Sequence, residues 1–256
     1  MTRSTGAVPV AAARGPQGRR RTVRQFVPPQ HGAWAMLLVP WLAGVLVAGF
    51  HWAHLPLLGA WFTGYLLSYY VLQAVKTRKL ARFKAQVLLY GPVTAALGLL
   101  VVAVRPPVLA YAPAYALLLA VNVFHARRRR ERALLNDLIF VVQSCLMVLV
   151  AATVAGLGIS SVMSAFTAVL LYFTGTVLYV KTMIRERGNA AYRKASVVYH
   201  ACALAAATLL SIPAAAVFLL LLVRAIVLPR YRPAPKHVGI IEIVASALVL
   251  ITAVAA

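Results

Sequence analysis

Pro28-Pro29-Gln30-His31-Gly32-Ala33-Trp34-Ala35-Met36-Leu37-Leu38-Val39-Pro40-Trp41 is the stretch in which a basic, polar N-terminal segment gives way to unbroken apolar sequence. Two consecutive prolines block helix before them, and Trp34 suits the headgroup layer of a bilayer. Positions 33–50 then run for 18 residues without a charge, about the length that crosses a hydrocarbon core. The reading is a first membrane helix that begins at this boundary.

The rest of the chain repeats the pattern. Of 256 residues, 62% are apolar and only 12% charged, and the mean hydropathy is +0.85, which is the composition of a polytopic membrane protein. Uncharged or nearly uncharged segments recur at 33–50, 55–73, 87–104, 108–124, 134–155, 159–180, 196–210, 212–228 and 239–256. They predict an all-α bundle of nine transmembrane helices over residues 28–256. Residues 1–27, with six arginines among Gly, Pro, Ala and Ser, read as a disordered basic tail, since little in them could be buried. The seventh and eighth spans are separated only by Ser211-Ile212-Pro213, and a turn there gives two helices where a kink would give one. In the third span, Gly91-Pro92 reads as the one strong break.

Charge decides between turn and kink. The formal net charge is +22, but the basic residues sit in short loops between apolar spans and not on a mixed-charge soluble surface, which argues against a nucleic-acid reader. Counted loop by loop, 25 of the 26 fall in the tail, after the second, fourth and sixth spans, or around the end of the eighth. The opposite loops hold Arg105 alone. Lys and Arg in short loops stay on the cytoplasmic side, so the expected topology has the N-terminus cytoplasmic and the C-terminus outside, in the cell membrane, with anionic lipid headgroups as partners of the inner face. Merging the seventh and eighth spans would put the last basic cluster on the wrong side. Cys145 and Cys202 lie inside apolar spans without a CxxC or CxxH neighbour, so neither a disulfide nor a metal site is indicated, both read as small core residues, and no cofactor is evident.

The opening string from Pro29 through Met36 to Gly44 resembles that of YwiC-like membrane proteins. Asn136-Asp137 after an Arg-rich loop, and Gly239 with Glu242 at the start of the last span, are similar too. That family is uncharacterised, so the resemblance implies no activity. A more distant, architectural resemblance is to UbiA-type intramembrane prenyltransferases, which also place nine helices with polar loops after the second and sixth. Those enzymes hold Mg²⁺ and a diphosphate with two Asp-rich clusters. Here the whole acidic inventory is Glu131, Asp137, Glu186 and Glu242, too few and too scattered for two clusters. A lipid transferase on this scaffold is therefore the alternative to a binding or transport protein, and the reading leans away from an enzyme.

Candidate functional residues are the polar groups inside or at the inner ends of spans, because a charge in a membrane segment is costly and ordinarily has a partner. Asp137 lies one turn into the fifth span, with Asn136 and Gln143 on the neighbouring face. It is either a first-turn carboxylate paired with Arg130 or Arg132, or a site residue. Glu242 calls for a cation from Lys236 or from an arginine of another helix, and Lys181 and Arg224 are the cations nearest by depth to Asp137 and Glu242. His31, with Gln30 and Trp34, is an interfacial anchor or a proton carrier. Polar stripes at helical spacing run along three spans: Tyr65, Tyr69 and Gln73; Tyr172, Thr176 and Tyr179; Tyr192, Ser196 and Tyr199 beside His200. All end on the basic face. Together with Lys181 and Glu186 they predict a cytoplasm-facing pocket for an anionic or lipid-like ligand, with His31, Asn136, Asp137, Lys181, Glu186 and Glu242 drawn together.

Overall fold

The computed structural model describes residues 25–28, 33–231 and 233–255. Among these residues it forms nine α-helices and no strand: α1 (Ala33–Ala48), α2 (His54–Thr77), α3 (Lys84–Val104), α4 (Ala112–Arg127), α5 (Leu134–Ala155), α6 (Met163–Ile184), α7 (Ala190–Thr208), α8 (Ile212–Tyr231) and α9 (Pro235–Ala255). Each predicted span maps onto one helix. The tail to residue 24, and with it Gln30 and His31, lies outside the described residues.

Local chemistry accounts for most of the boundaries. Gly49, at φ +83°, follows α1, and Gly156, at φ +84°, closes α5 by turning its N–H back to the carbonyls of Ala152 and Thr153. α7 starts six residues before the predicted span because the Asn189 side chain accepts from the N–H groups of Ala191 and Tyr192, a helix cap that hydropathy cannot register. Between α7 and α8 the chain turns at Ser211, whose hydroxyl accepts from the Ala214 N–H at 3.2 Å. The turn, not the kink, is what forms. Gly91-Pro92 is not a break: α3 is continuous through Pro92, as transmembrane helices tolerate.

Seven of the described helices are long and apolar enough to cross a membrane. α1, with 16 residues, is shorter, and α7 is less apolar. The chain is a multi-pass membrane protein. α1 and α5 lie side by side in the middle; α2, α3 and α4 pack on one flank and α6 to α9 on the other, with α1 also touching α6 and α9. The central seam needs a glycine. A Cβ on Gly44 would stand 2.7 Å from both the Ala151 Cβ and the Val148 carbonyl oxygen, the close approach that small residues allow between membrane helices. Cys145 is fully buried in this core, but Cys202 is exposed on the outer side of α7 and is not a core residue.

The connections sort onto two ends. At one, Lys76 in the last turn of α2 meets Glu131 after α4 at 2.8 Å, and Lys181 of α6 donates to the Arg132 carbonyl at 2.7 Å. The same end holds residues 25–26, whose backbone carbonyls accept from Tyr70 and Gln86 at Gln25, and from Tyr90 at Phe26. At the other end, Arg105 donates to the Val154 carbonyl at 2.8 Å and approaches His51, while His54 reaches the Ala151 carbonyl at 2.8 Å. Among the described residues the one Lys or Arg at this end is thus taken up by a carbonyl near the α5 C-terminus, where the helix dipole is negative.

Candidate functional site

Four helices of the second flank bring their polar side chains to one place inside the bundle. Glu242 of α9 is its acid. Arg224 of α8 donates through Nη1 to Glu242 Oε1, Thr176 of α6 donates its hydroxyl to Oε2 at 2.9 Å, and the Tyr172 hydroxyl lies 3.2 Å from Oε2 and 3.0 Å from the Glu242 carbonyl oxygen. Arg224 is held on its other sides as well. Its guanidinium carbon sits 4.1 Å over the Tyr179 ring, a cation–π geometry, and Nη2 approaches His200 Nε2 of α7 at 3.4 Å. The His200 Nδ1 faces the Ser196 carbonyl at 2.7 Å. A carbonyl only accepts, so the ring proton belongs on Nδ1 and the Nε2 lone pair faces the arginine.

These groups lie deep. At 1.5 Å per residue they are about 7 to 18 Å along their helices from the ends that carry the basic loops. The side chain of Arg224 is 7% exposed and that of Glu242 14%. Backbone crowding fixes the imidazole, since a Cβ on Gly175 would be 3.0 Å from His200 Nε2. Among the described residues, three buried polar atoms around this core have no hydrogen-bond partner: the Tyr179 hydroxyl, the Ser196 hydroxyl and Arg224 Nε. Buried donors without acceptors are rare and costly, at about 1–3 kcal/mol each.

A second charged pair lies nearer the basic end. Asp137 accepts from Lys181 at 2.8 Å across the α5–α6 seam; its partner is this lysine and not Arg130 or Arg132, although the same ammonium also holds the Arg132 carbonyl. Beside it, Asn136 donates to the Glu131 carbonyl and leaves its own side-chain oxygen unpartnered. Glu186 caps a turn by accepting from Asn189 at 3.0 Å, and Gln143 accepts from Asn122 of α4 at 3.0 Å. Of the residues predicted to converge, Asp137 and Lys181 therefore meet directly, Glu186 is one turn along the chain from Lys181, and Glu242 belongs to the deeper core.

The polar stripes divide the same way. Those of α6 and α7 supply Tyr172, Thr176, Tyr179, Ser196 and His200 to the core, while Tyr192 lies nearer the loop and Tyr199 donates to the Leu171 carbonyl. The α2 stripe lies on the first flank. There Tyr69 and Gln73 line a groove of about 260 Å³ with Arg82 and Phe83, and Trp34 stacks on Phe62 at 5.8 Å and edges Tyr65 at 6.3 Å, fastening α1 to α2. The four carboxylates are each held by a different partner: Glu131 by Lys76, Asp137 by Lys181, Glu186 by Asn189 and Glu242 by Arg224. Among the described residues no three His, Cys, Asp or Glu side chains gather within reach of one metal ion.

Comparison with known proteins agrees with the opening motif. Residues 27–152 match the family described as YwiC-like protein. An uncharacterised protein of Haemophilus influenzae is 33% identical over 232 residues, covering 87% of this chain and 94% of its own length. The chain belongs to the YwiC-like family. A further relative is the uncharacterised protein YwiC of Bacillus subtilis, 34% identical over 180 residues, or 70% of this chain and 75% of that one. No solved structure matches. In this YwiC-like chain the family match ends within α5, so the polar core of α6 to α9 lies beyond it.

Proposed function

We propose that this chain binds or carries an anionic or lipid-like ligand at the polar core of α6 to α9, reached from the cytoplasmic face of the cell membrane. One observation carries the reading: a buried arginine inside a membrane bundle, held by a single carboxylate and surrounded by polar atoms that lack partners. Intramembrane charges of this kind mark substrate paths and ligand counter-ions. The basic residues at the end nearest the core favour the approach of anions, and the same charge bias orients the N-terminus to the cytoplasm and the C-terminus outside.

Native mass spectrometry of the full chain, with extraction of what co-purifies, tests the reading. An anionic species retained by the wild type and lost in Arg224→Gln supports it. The same species retained by both proteins overturns it. Orientation is tested separately: a reporter active only outside the cytoplasm is expected to work when fused after Ala256 and to be silent at Arg130.

A further inference from the structure

Glu242 occupies Arg224 as a bound carboxylate would. Its two oxygens take one guanidinium N–H, the Thr176 hydroxyl and a share of the Tyr172 hydroxyl, while the Tyr179 and Ser196 hydroxyls and Arg224 Nε stand by without partners, their side chains buried. This is a donor set built for a carboxylate, and it is presently filled by one of the protein's own. The core is electrically neutral, one cation against one anion. Adding a second anion at this depth would leave an uncompensated charge in a low-dielectric interior, which membrane proteins avoid.

We propose that the ligand is a carboxylate that displaces Glu242 from Arg224, and that each ligand anion arrives with one proton, which Glu242 takes up. This deepens the anionic-ligand reading above and rests on it. The step balances: ligand carboxylate, proton and the Arg224–Glu242 pair become a ligand–Arg224 pair and a neutral Glu242 acid, and the only covalent change is that one O–H bond forms on Glu242 as one bond to hydrogen breaks in the hydronium ion or buffer acid that delivers the proton. The core is neutral before and after. The groups that face this pair assign the proton. α6 contributes the hydroxyls of Tyr172, Thr176 and Tyr179, which already serve as donors or sit on the guanidinium; α8 contributes Arg224; and α1, which packs against α9, brings no titratable side chain. His200 of α7 carries its proton on Nδ1, and a second one on Nε2 would point at the guanidinium. Glu242 is the acceptor that remains.

The test is calorimetric titration of the detergent-solubilised full chain with octanoate, using octanol as the neutral control, across pH and in buffers of different protonation enthalpy. The wild type is expected to take up one proton per octanoate and to lose affinity about tenfold per pH unit as pH rises, as linkage to a single proton requires. Glu242→Gln, which presents an uncharged side chain from the start, is expected to bind with no proton uptake and with a flat pH profile. A carboxylic-acid infrared band is expected on octanoate addition to the wild type and is absent from Glu242→Gln. If that variant does not fold, the wild-type proton count and the band carry the test. Octanoate binding without proton uptake overturns the exchange and leaves the anionic-ligand reading standing. A pH slope abolished by His200→Gln and kept in Glu242→Gln overturns the assignment of the proton. Octanoate binding unchanged in Arg224→Gln, equal binding of octanol, or no octanoate binding by either protein at any pH overturns both the exchange and the anion site.

Discussion

The two flanks of this bundle solve the problem of standing in lipid differently. The membrane-crossing stretches that include α2, α3 and α4 are 11, 6 and 6% buried, whereas those of α6, α8 and α9 are 44, 33 and 33% buried. The first flank is mostly apolar surface turned outward, joined by contacts such as the Thr94–Thr63 hydroxyl bond and the Trp61 bond to the Leu37 carbonyl. The second encloses charge. Apolar helices gain little from one another in a solvent as apolar as they are, so packing and polar bonds must hold them. The first flank therefore reads as a lipid-facing scaffold and the second as the part whose geometry is specified residue by residue.

The largest expected effect tests that contrast at its strongest point. Glu242→Gln or Arg224→Gln alone leaves a buried partner unpaired and is expected to cost about 3–5 kcal/mol, while the double variant recovers much of the loss. Thermal unfolding in detergent reads the cycle, and equal, additive losses would show that the pair is not coupled. Next comes Gly44→Val at the central seam, where the added atoms meet Ala151 and the Val148 backbone; a loss of about 1–3 kcal/mol is expected from overpacking. Lys181→Met removes the cation from Asp137, whose side chain is one-quarter exposed. Solvent screens that site, and about 1–2 kcal/mol is expected, below the loss at Glu242. The smallest effect belongs to the first flank. Gly98 has open space where a Cβ would go, so Gly98→Ala is expected to be neutral or to stabilise by about 0.5–1 kcal/mol. A large loss there would break the contrast between the flanks.

What the sequence discloses follows the same division. Span number, the α7–α8 turn and the sorting of loops onto two ends are legible because hydropathy and charge are local properties, and α1 to α9 report both. The start of α7 is not, because it depends on the Asn189 cap. Arg224 counts as a loop charge when charges are totalled by segment, yet it stands seven positions before the end of α8. Depth is the better signal: an arginine flanked on both sides by apolar runs stands level with the carboxylates inside the spans, and Glu242 is its partner. The stripes on α6 and α7 name side chains that do gather around Arg224 and Glu242, but which carboxylate they meet depends on how α9 packs. Arg105 and His54 gave no sign of their carbonyl partners, since those lie on α5, a separate element.

The hydrogen bonds of Tyr70, Gln86 and Tyr90 to residues 25–26 all go to the backbone carbonyls of Gln25 and Phe26. Every amino acid offers the same carbonyl, proline included. The attachment therefore measures where the chain runs and is indifferent to its spelling at those two positions: substitutions there are tolerated by the bonds themselves, whereas deleting a residue shifts the carbonyls out of reach. Spacing is what these three bonds read at this junction, and side-chain identity does not enter them.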